Sequence, residues 1–383
     1  MKIVERYGAA YRVLAGSGGW SVLYPLRLVM AGIYGLLVRM RAGRAPAKRA
    51  RPIAGPGGHP VIVSIGNIEA GGGGKTPCAL SLAKGIAGRG GLPVVVTRGF
   101  GGVAQRRAPC VVAARGAAMR GGAGFATAEE LIGAQRGGAG DLGREAAALG
   151  DEVLIYRDGG ISVVIDPRRE RGIDLARRLF SPSHILLDDS FQNLSVRKDV
   201  DILLLDAERP FGSGKLLPLG TLREHPRAAA RAGIVIFTRA VEKRIPEEAL
   251  PFVEGKPVHF AVHEPVGLVD RSGRPVPLEQ IRGKECALFS GIARPVSFEE
   301  TVRSLGARPG IAFRFVDHHR FVRRDVERML DECGPDALFL TTEKDRAKAI
   351  DLFPAGIAVL ALRVEMRIDR SEELLDLLSI SFS

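Results

Sequence analysis

The strongest constraint on this chain is the stretch from Val61 to Gly90. An apolar run (Val61 to Ile65) gives way to four glycines, Gly71, Gly72, Gly73 and Gly74, then to Lys75, Thr76 and apolar positions at helical spacing. Strand, glycine loop and helix in that order have a chemical consequence. Glycines let successive backbone N–H groups face an anion, a lysine supplies a point charge for the β- and γ-phosphates of a nucleoside triphosphate, and a threonine hydroxyl can hold Mg2+. Pro77 suits a first helical turn, and Ala79, Leu80, Leu82, Ala83, Ile86 and Ala87 form an apolar stripe. The form is relaxed, because Glu69 stands where the strict pattern has its first glycine. The competing reading is a flexible surface hairpin.

Length sets the next bound: 383 residues imply two or three domains with ample apolar content for buried cores. The four cysteines, Cys78, Cys110, Cys286 and Cys333, are far apart, so neither a zinc site nor a disulfide framework is indicated. A reducing compartment follows. The net charge of +12 invites a nucleic-acid partner, yet residues 1–51 hold ten Lys and Arg side chains against the single acid Glu5. Beside that basic surplus runs Trp20 to Val38, an apolar segment about 28 Å long as a helix. Arg27 near its middle, at roughly 3 kcal/mol on insertion scales, and Pro25 in its first half argue against a span. The expectation is a helix lying on a membrane surface, its basic flank drawn to anionic lipid, with no nucleic-acid partner. The competing reading is a helix packed on the soluble core.

A basic, Pro/Gly-rich connector leads into the first strand. Leu92 to Thr97 reads as a buried strand, followed by Arg98 and a glycine-rich turn, and residues 103–149 turn to Ala, Gly and Arg, a loop with a short helix. Gly150 to Tyr156 and Ile161 to Pro167 read as short strands or strand-to-helix transitions, Arg168 to Phe180 as a helix, and His184 to Asn193, Asp201 to Asp206 and Gly233 to Thr238 as strand segments. Apolar strands alternating with helices predict an α/β fold with a mostly parallel sheet covered on both faces. From about Lys243 the chain is Pro-rich and loop-like, and a second α/β unit follows. The organisation expected is residues 1–50 as membrane-surface helix and connector, 51–242 as a P-loop domain, and 243–383 as a smaller α/β domain on an active-site cleft.

Chemistry concentrates at a few positions. Asp188 and Asp189 end an apolar strand, where a nucleotide-binding sheet places the carboxylate that helps hold Mg2+. Both loops would then open at the C-terminal edge of one sheet. Asp151 and Glu152 form a second acidic pair, suited to a general base or to an ordinary surface. Asp317, His318 and His319 hold the only His pair, and adjacent strand residues point opposite ways, so both rings do not serve one site. Phe211 to Lys215 (FGSGK) reads as a loop near the site, and Arg98, Arg169 and Arg223 are phosphate-clamp candidates. TTEKD (Thr341 to Asp345) only superficially resembles a guanine-reading motif.

Taken together, GNIEAGGGGKTP, TRGFGG, GDE, DDSFQN, DAERPFGSGKLLPLGTLRE, SGIARPVSF, DHHRF and TTEKD, in that order from Gly66 to Asp345, resemble the tetraacyldisaccharide 4'-kinase family. The resemblance implies ATP- and Mg2+-dependent transfer of a γ-phosphoryl group to the 4'-hydroxyl of an acylated glucosamine disaccharide 1-phosphate in lipid A biosynthesis. It implies a peripheral enzyme on the cytoplasmic face of the bacterial inner membrane. It also implies a dyad of Asp151 and His318 at the acceptor hydroxyl, with Lys75 on the phosphates and Thr76, Asp188 and Asp189 on the Mg2+ side; Glu152 and Gln192 join Arg98, Arg169 and Arg223 as substrate or phosphate-clamp candidates. Ser190 and Asn193 stand where the family usually has Gly and His. The rival class is a P-loop ATPase or GTPase that couples hydrolysis to a protein partner.

Overall fold

A computed structural model describes residues 1–6, 24–43, 59–107, 109–114, 117, 119–120, 125–133 and 141–379. The strands among them are β1 (Lys2–Arg6), β2 (Val61–Asn67), β3 (Pro93–Thr97), β4 (Cys110–Val112), β5 (Ala126–Thr127), β6 (Ser162–Ile165), β7 (His184–Asp188), β8 (Val200–Asp206), β9 (Ile234–Thr238), β10 (Val258–Val269), β11 (Pro275–Val276), β12 (Glu285–Ser290), β13 (Arg308–Phe315), β14 (Phe339–Thr342) and β15 (Val359–Ile368). They form one sheet in the order β1-β13-β12-β14-β15-β10-β9-β8-β2-β7-β3-β6-β4-β5, with β11 on β10. Most neighbours are parallel; β4 on β6 and β10 on β15 and β11 are antiparallel. The mostly parallel α/β fold expected from the apolar runs is the one observed.

The two covered faces follow from the period-two alternation of a strand. Val63, Val95 and Leu186 meet Leu82 and Ile86 of the Lys75–Gly88 helix on one face. Val94, Val96, Ile185 and Leu187 meet Ile173, Leu175 and Leu179 of the Arg169–Phe180 helix on the other. Each such Leu or Ile contributes about 2 kcal/mol of transfer free energy. That burial holds the C-terminal ends of β2 and β7 side by side, Ile65 opposite Asp188.

Two local expectations fail for identifiable reasons. Asp151–Asp158 is a helix, not a strand: Asp151 and Glu152 occupy its first turn, and Gly150 before them takes φ +96°. Val258–Val269, inside the stretch read as loop-like, is a twelve-residue strand that tolerates Pro265 at a register irregularity against β15. Its pairing with β9 carries the sheet unbroken past residue 242.

The N-terminal apolar helix runs Tyr24–Gly43; Trp20 to Leu23 and most of the basic connector lie outside the described residues. No helix among the described residues is long and apolar enough to cross a membrane. Tyr34 and Gly35 face the body of the protein: the Tyr34 hydroxyl donates to the Arg223 carbonyl at 3.1 Å, and a Cβ on Gly35 would lie 3.1 Å from Leu216 Cδ1. Leu26, Leu28, Val29, Ile33, Leu36 and Leu37 face outward, each more than half exposed. Within the segment 103–149, the Ala104–Arg107, Ala128–Gly133 and Asp141–Leu149 helices are described, and residues 134–140 are not.

Candidate active site

The glycine loop begins where buried β2 ends. Gly71 (φ +116°) and Gly74 (φ +79°) take left-handed backbone conformations that a side chain resists, and Gly74 caps the Lys75–Gly88 helix without a side-chain acceptor. The first N–H groups of that helix therefore carry no side-chain cap and face the loop, which is the arrangement that attracts phosphate. Gly73 lies so close to Asn67 that a Cβ would meet its Nδ2 at 2.5 Å. Asn67 in turn accepts from Lys75 Nζ through Oδ1 at 3.3 Å.

Asp188 and Asp189 close the opposite side. The Thr76 hydroxyl donates to Asp188 Oδ2 at 3.4 Å, and Tyr156 donates to the same oxygen at 2.8 Å. Asp188 Oδ1 is buried without a partner. Burial, then the neighbouring charges of Glu152 and Asp189, raise the Asp188 carboxyl to about 6. Asp189, at φ +47°, lies 3.7 Å from Lys75 Nζ and accepts two bonds from Arg223, at 2.9 and 3.1 Å. Burial works against its charge, but Lys75 and Arg223 overcome that and hold its carboxyl below the usual range. Among the described residues no group of three or more His, Cys, Asp or Glu gathers for a metal. An orphaned carboxylate oxygen beside a threonine hydroxyl nevertheless fits Mg2+, which takes one or two protein oxygens and completes its shell with phosphates and water.

The remaining candidates sort by contact. Arg169 is buried beneath the strand ends, donating to the carbonyls of Asp166 (2.9 Å) and Asp188 (2.7 Å), so its guanidinium supports backbone. Gln192 donates to the Asn67 carbonyl at 2.8 Å. Arg98 is exposed. In the FGSGK loop, Gly212 packs against Glu69 and Thr221, while Ala70 N–H donates to the Thr221 carbonyl at 2.7 Å, so this loop buttresses the glycine loop.

The second acidic pair, Asp151 and Glu152, opens the helix that follows Gly150. The TRGFGG turn packs on Gly150 so tightly that a Cβ on Gly102 would meet Gly150 N at 2.5 Å, fixing the start of the helix that carries Asp151 and Glu152. Asp151 is buried, with Oδ2 3.5 Å from His318 Nδ1. His318 is held at φ +58°, and its ring packs edge-on against Phe100 at 4.9 Å. His319 turns away, pairing with Asp325 at 2.9 Å and stacking on Phe315. Arg320 crosses to the Gly101 carbonyl at 3.2 Å. The arrangement offers an anion cradle with a lysine, a cation-ready carboxylate, and a separate Asp–His pair for a hydroxyl.

Five participants were given no role by the motif reading. Asp206 Oδ2 accepts from Arg239 and lies 2.6 Å from Arg294 Nη1, while Arg239 also donates to the Gly72 carbonyl at 3.2 Å. Lys344 and Lys348 approach Asp151 from the Glu343–Ala349 helix. Their spacing of four residues on one helix face after a strand end was the available signal.

Comparison with known proteins yields a consistent set of relatives. A family described as tetraacyldisaccharide-1-P 4'-kinase matches residues 22–124 and 133–382. The tetraacyldisaccharide 4'-kinase of Anaeromyxobacter dehalogenans strain 2CP-C is 37% identical over 350 residues, covering 87% of this chain and 82% of that protein. The protein of that name from Desulfatibacillum aliphaticivorans is 30% identical over 376 residues, covering 92% and 91%. Among solved structures, LpxK from Aquifex aeolicus in complex with ATP superimposes with a TM-score of 0.67 at 23% identity, covering 93% of this chain and 98% of that one.

Proposed function

The chain belongs to the tetraacyldisaccharide-1-P 4'-kinase family, and from that premise we propose that its cleft moves the γ-phosphoryl group of ATP onto the 4'-hydroxyl of an acylated glucosamine disaccharide 1-phosphate. The observation that carries the reading is the meeting of Lys75, Thr76, Asp188 and Asp189 at the ends of β2 and β7, with Asp151 and His318 across the cleft. The acceptor oxygen attacks phosphorus, the bond from phosphorus to the β,γ-bridging oxygen breaks, ADP leaves, and the hydroxyl proton passes to the Asp151 carboxylate. Lys75 and the uncapped N–H groups at the Lys75–Gly88 helix stabilise charge on the phosphates, while Arg223 holds Asp189 in place. Mg2+, held by Thr76 and Asp188 with Asp189 beside them, would neutralise charge on the transferring group. The division of labour places nucleotide on residues 51–242, with His318 supplied by residues 243–383.

The acceptor is a lipid, and the outward apolar row of the Tyr24–Gly43 helix supports delivery at a membrane surface, the cytoplasmic face of the inner membrane in this reading. Incubation of the purified protein with radiolabelled ATP and the disaccharide lipid should yield labelled lipid. Lys75→Ala and Asp151→Ala should each abolish the transfer while leaving the circular dichroism spectrum intact. Wild-type turnover by the Asp151 variant overturns the base assignment.

A further inference from the structure

Three stretches from the second half of the chain converge behind His318. Gly291, just past β12, donates its N–H to Asp345 Oδ2 at 2.9 Å and accepts from His318 N–H at 3.0 Å. Space there is tight: a Cβ would lie 3.1 Å from His319 Cβ and 3.2 Å from the Val316 carbonyl, so neighbours would have to give by a few tenths of an ångström. Asp345 is fully buried; its Oδ2 also accepts from the Thr342 hydroxyl at 2.9 Å, and its Oδ1 lies 2.9 Å from Lys348 Nζ. One carboxylate thus fixes both the backbone that carries His318 and the helix that carries two lysines.

Both lysines reach the second acidic pair. Lys348 Nζ lies 3.5 Å and Lys344 Nζ 3.8 Å from Asp151 Oδ2, and Lys344 Nζ is also 3.6 Å from Glu152 Oε1 and 3.5 Å from His318 Nε2. An ammonium group has three donors and no acceptor, so the ring nitrogen facing it is the one that accepts. The proton of a neutral His318 ring therefore sits on Nδ1, the nitrogen that faces Asp151. We propose that Lys344 and Lys348 are positioning residues for the transfer: together they keep the buried Asp151 carboxylate charged, and Lys344 selects the His318 tautomer that presents Nδ1–H to it.

The charges around Asp151 support that assignment. Burial alone would raise its carboxyl; His318, Lys344 and Lys348 reverse this and hold it well below the usual carboxylate range. Burial likewise opposes the charge on Lys344, and Asp151 and Glu152, followed by Asp317 and Asp345, more than restore it. The other neighbouring elements contribute charges already engaged: Glu145 of the Asp141–Leu149 helix, which also carries Arg144, pairs with Arg157 at 2.9 Å, and Lys75 and Lys84 of the Lys75–Gly88 helix face Asp189 and Glu365. Asp317 Oδ1 stands 4.0 Å from His318 Nε2. With Lys344 and Lys348 beside it, Asp151 stays ionised and its carboxylate accepts from the acceptor hydroxyl, the proton passing as the oxygen bonds to phosphorus, while His318 Nδ1–H orients the carboxylate.

The assignment rests on the phosphotransfer reading, and its test separates the two. The complete chain and its Lys344→Met, Lys348→Met and Lys344→Arg variants are assayed for kcat and KM with ATP and the disaccharide lipid. Each Met variant should raise the Asp151 carboxyl by about one pH unit relative to the wild type, read by carbon-13 titration of the carboxyl below about pH 5, and should lower kcat with little change in KM; Lys344→Arg should retain the wild-type behaviour. In parallel, nitrogen-15 spectra of the imidazoles, which need no substrate, should show the neutral His318 proton on Nδ1 in the wild type and in Lys348→Met, and on Nε2 in Lys344→Met. Should Lys344→Met fail to fold, Lys344→Gln replaces it. An Asp151 carboxyl that titrates as in the wild type in both Met variants, together with an unmoved His318 proton, overturns the assignment. A wild type that never phosphorylates the lipid refutes the reaction, and the nitrogen spectra still decide the tautomer.

Discussion

Asp206 holds Arg294 together with Arg239, which donates to the glycine loop at Gly72, and removing Asp206 has a calculable cost. Its Oδ1 accepts from the N–H groups of Glu208 (2.8 Å) and Arg209 (3.0 Å), each worth about 1 kcal/mol. Its Oδ2 serves Arg239 and Arg294 together. Breaking a buried pair costs about 3–5 kcal/mol, but the Arg239 and Arg294 side chains are 20% and 38% exposed, so water recovers part of the loss and about 2 kcal/mol remains. Asp206→Ala should therefore destabilise the protein by about 4 kcal/mol. Asp206→Asn is no milder substitute for the ion pairs, because it keeps the turn bonds yet aims an amide donor at two guanidinium donors. The pH dependence has a definite sign. Burial opposes the charge, Arg239 and the Arg209 N–H outweigh it, and the carboxyl is held below its usual value. Its contribution is complete above the unfolded value near 3.9 and fades as pH falls through the lower folded value, so the gap between wild type and variant must close in acid. Urea unfolding followed by circular dichroism at neutral pH and at stepwise lower pH measures both effects, and a double-mutant cycle with Arg294→Met should return a coupling of about 1–2 kcal/mol. A neutral-pH change within about 0.5 kcal/mol, or a gap that is independent of pH, refutes the reasoning.

Two further outcomes follow from the same geometry. Gly66→Ala would place a methyl group 2.6 Å from Phe191 Cβ and 2.8 Å from its backbone nitrogen. Main chain cannot rotate away, so about 1–3 kcal/mol of stability should be lost in thermal unfolding, and a fluorescent ATP analogue should bind more weakly as the Asp188–Phe191 turn is pushed off the glycine loop; an unchanged melting temperature contradicts the close approach. Replacing both Leu36 and Leu37 by Glu alters side chains that are 59% and 58% exposed, so stability should hold. Co-sedimentation with anionic vesicles should nonetheless fall more than about tenfold, given roughly 1.5–3 kcal/mol per buried Leu; undiminished sedimentation excludes this helix as the lipid contact.

The sequence by itself determined the local pieces. Continuous apolar runs, a glycine loop opening a helix, and carboxylates at a strand end are short-range patterns whose physics is complete within a few residues. For that reason β2, β3, β8, the Lys75–Gly88 helix and the candidate phosphate side of the site were legible. Gly150 to Tyr156 was not, since the short apolar run Val153 to Tyr156 fits strand and helix alike until the TRGFGG turn packs on Gly150. Only tertiary structure decided what surrounds Asp151. Lys344 and Lys348 lie nearly two hundred residues from it, and nothing in TTEKD says which face of the sheet it will reach. Register does: β14 beside β12, and the Glu343–Ala349 helix against the Asp151–Asp158 helix, bring their charges together. Asp206 and Arg294 meet for the same reason: Asp206 ends β8, and Arg294 caps the Pro295–Ser304 helix that follows β12 of the same sheet. A Coulomb interaction acts through space, so its partners become visible only when the chain has closed the distance between them.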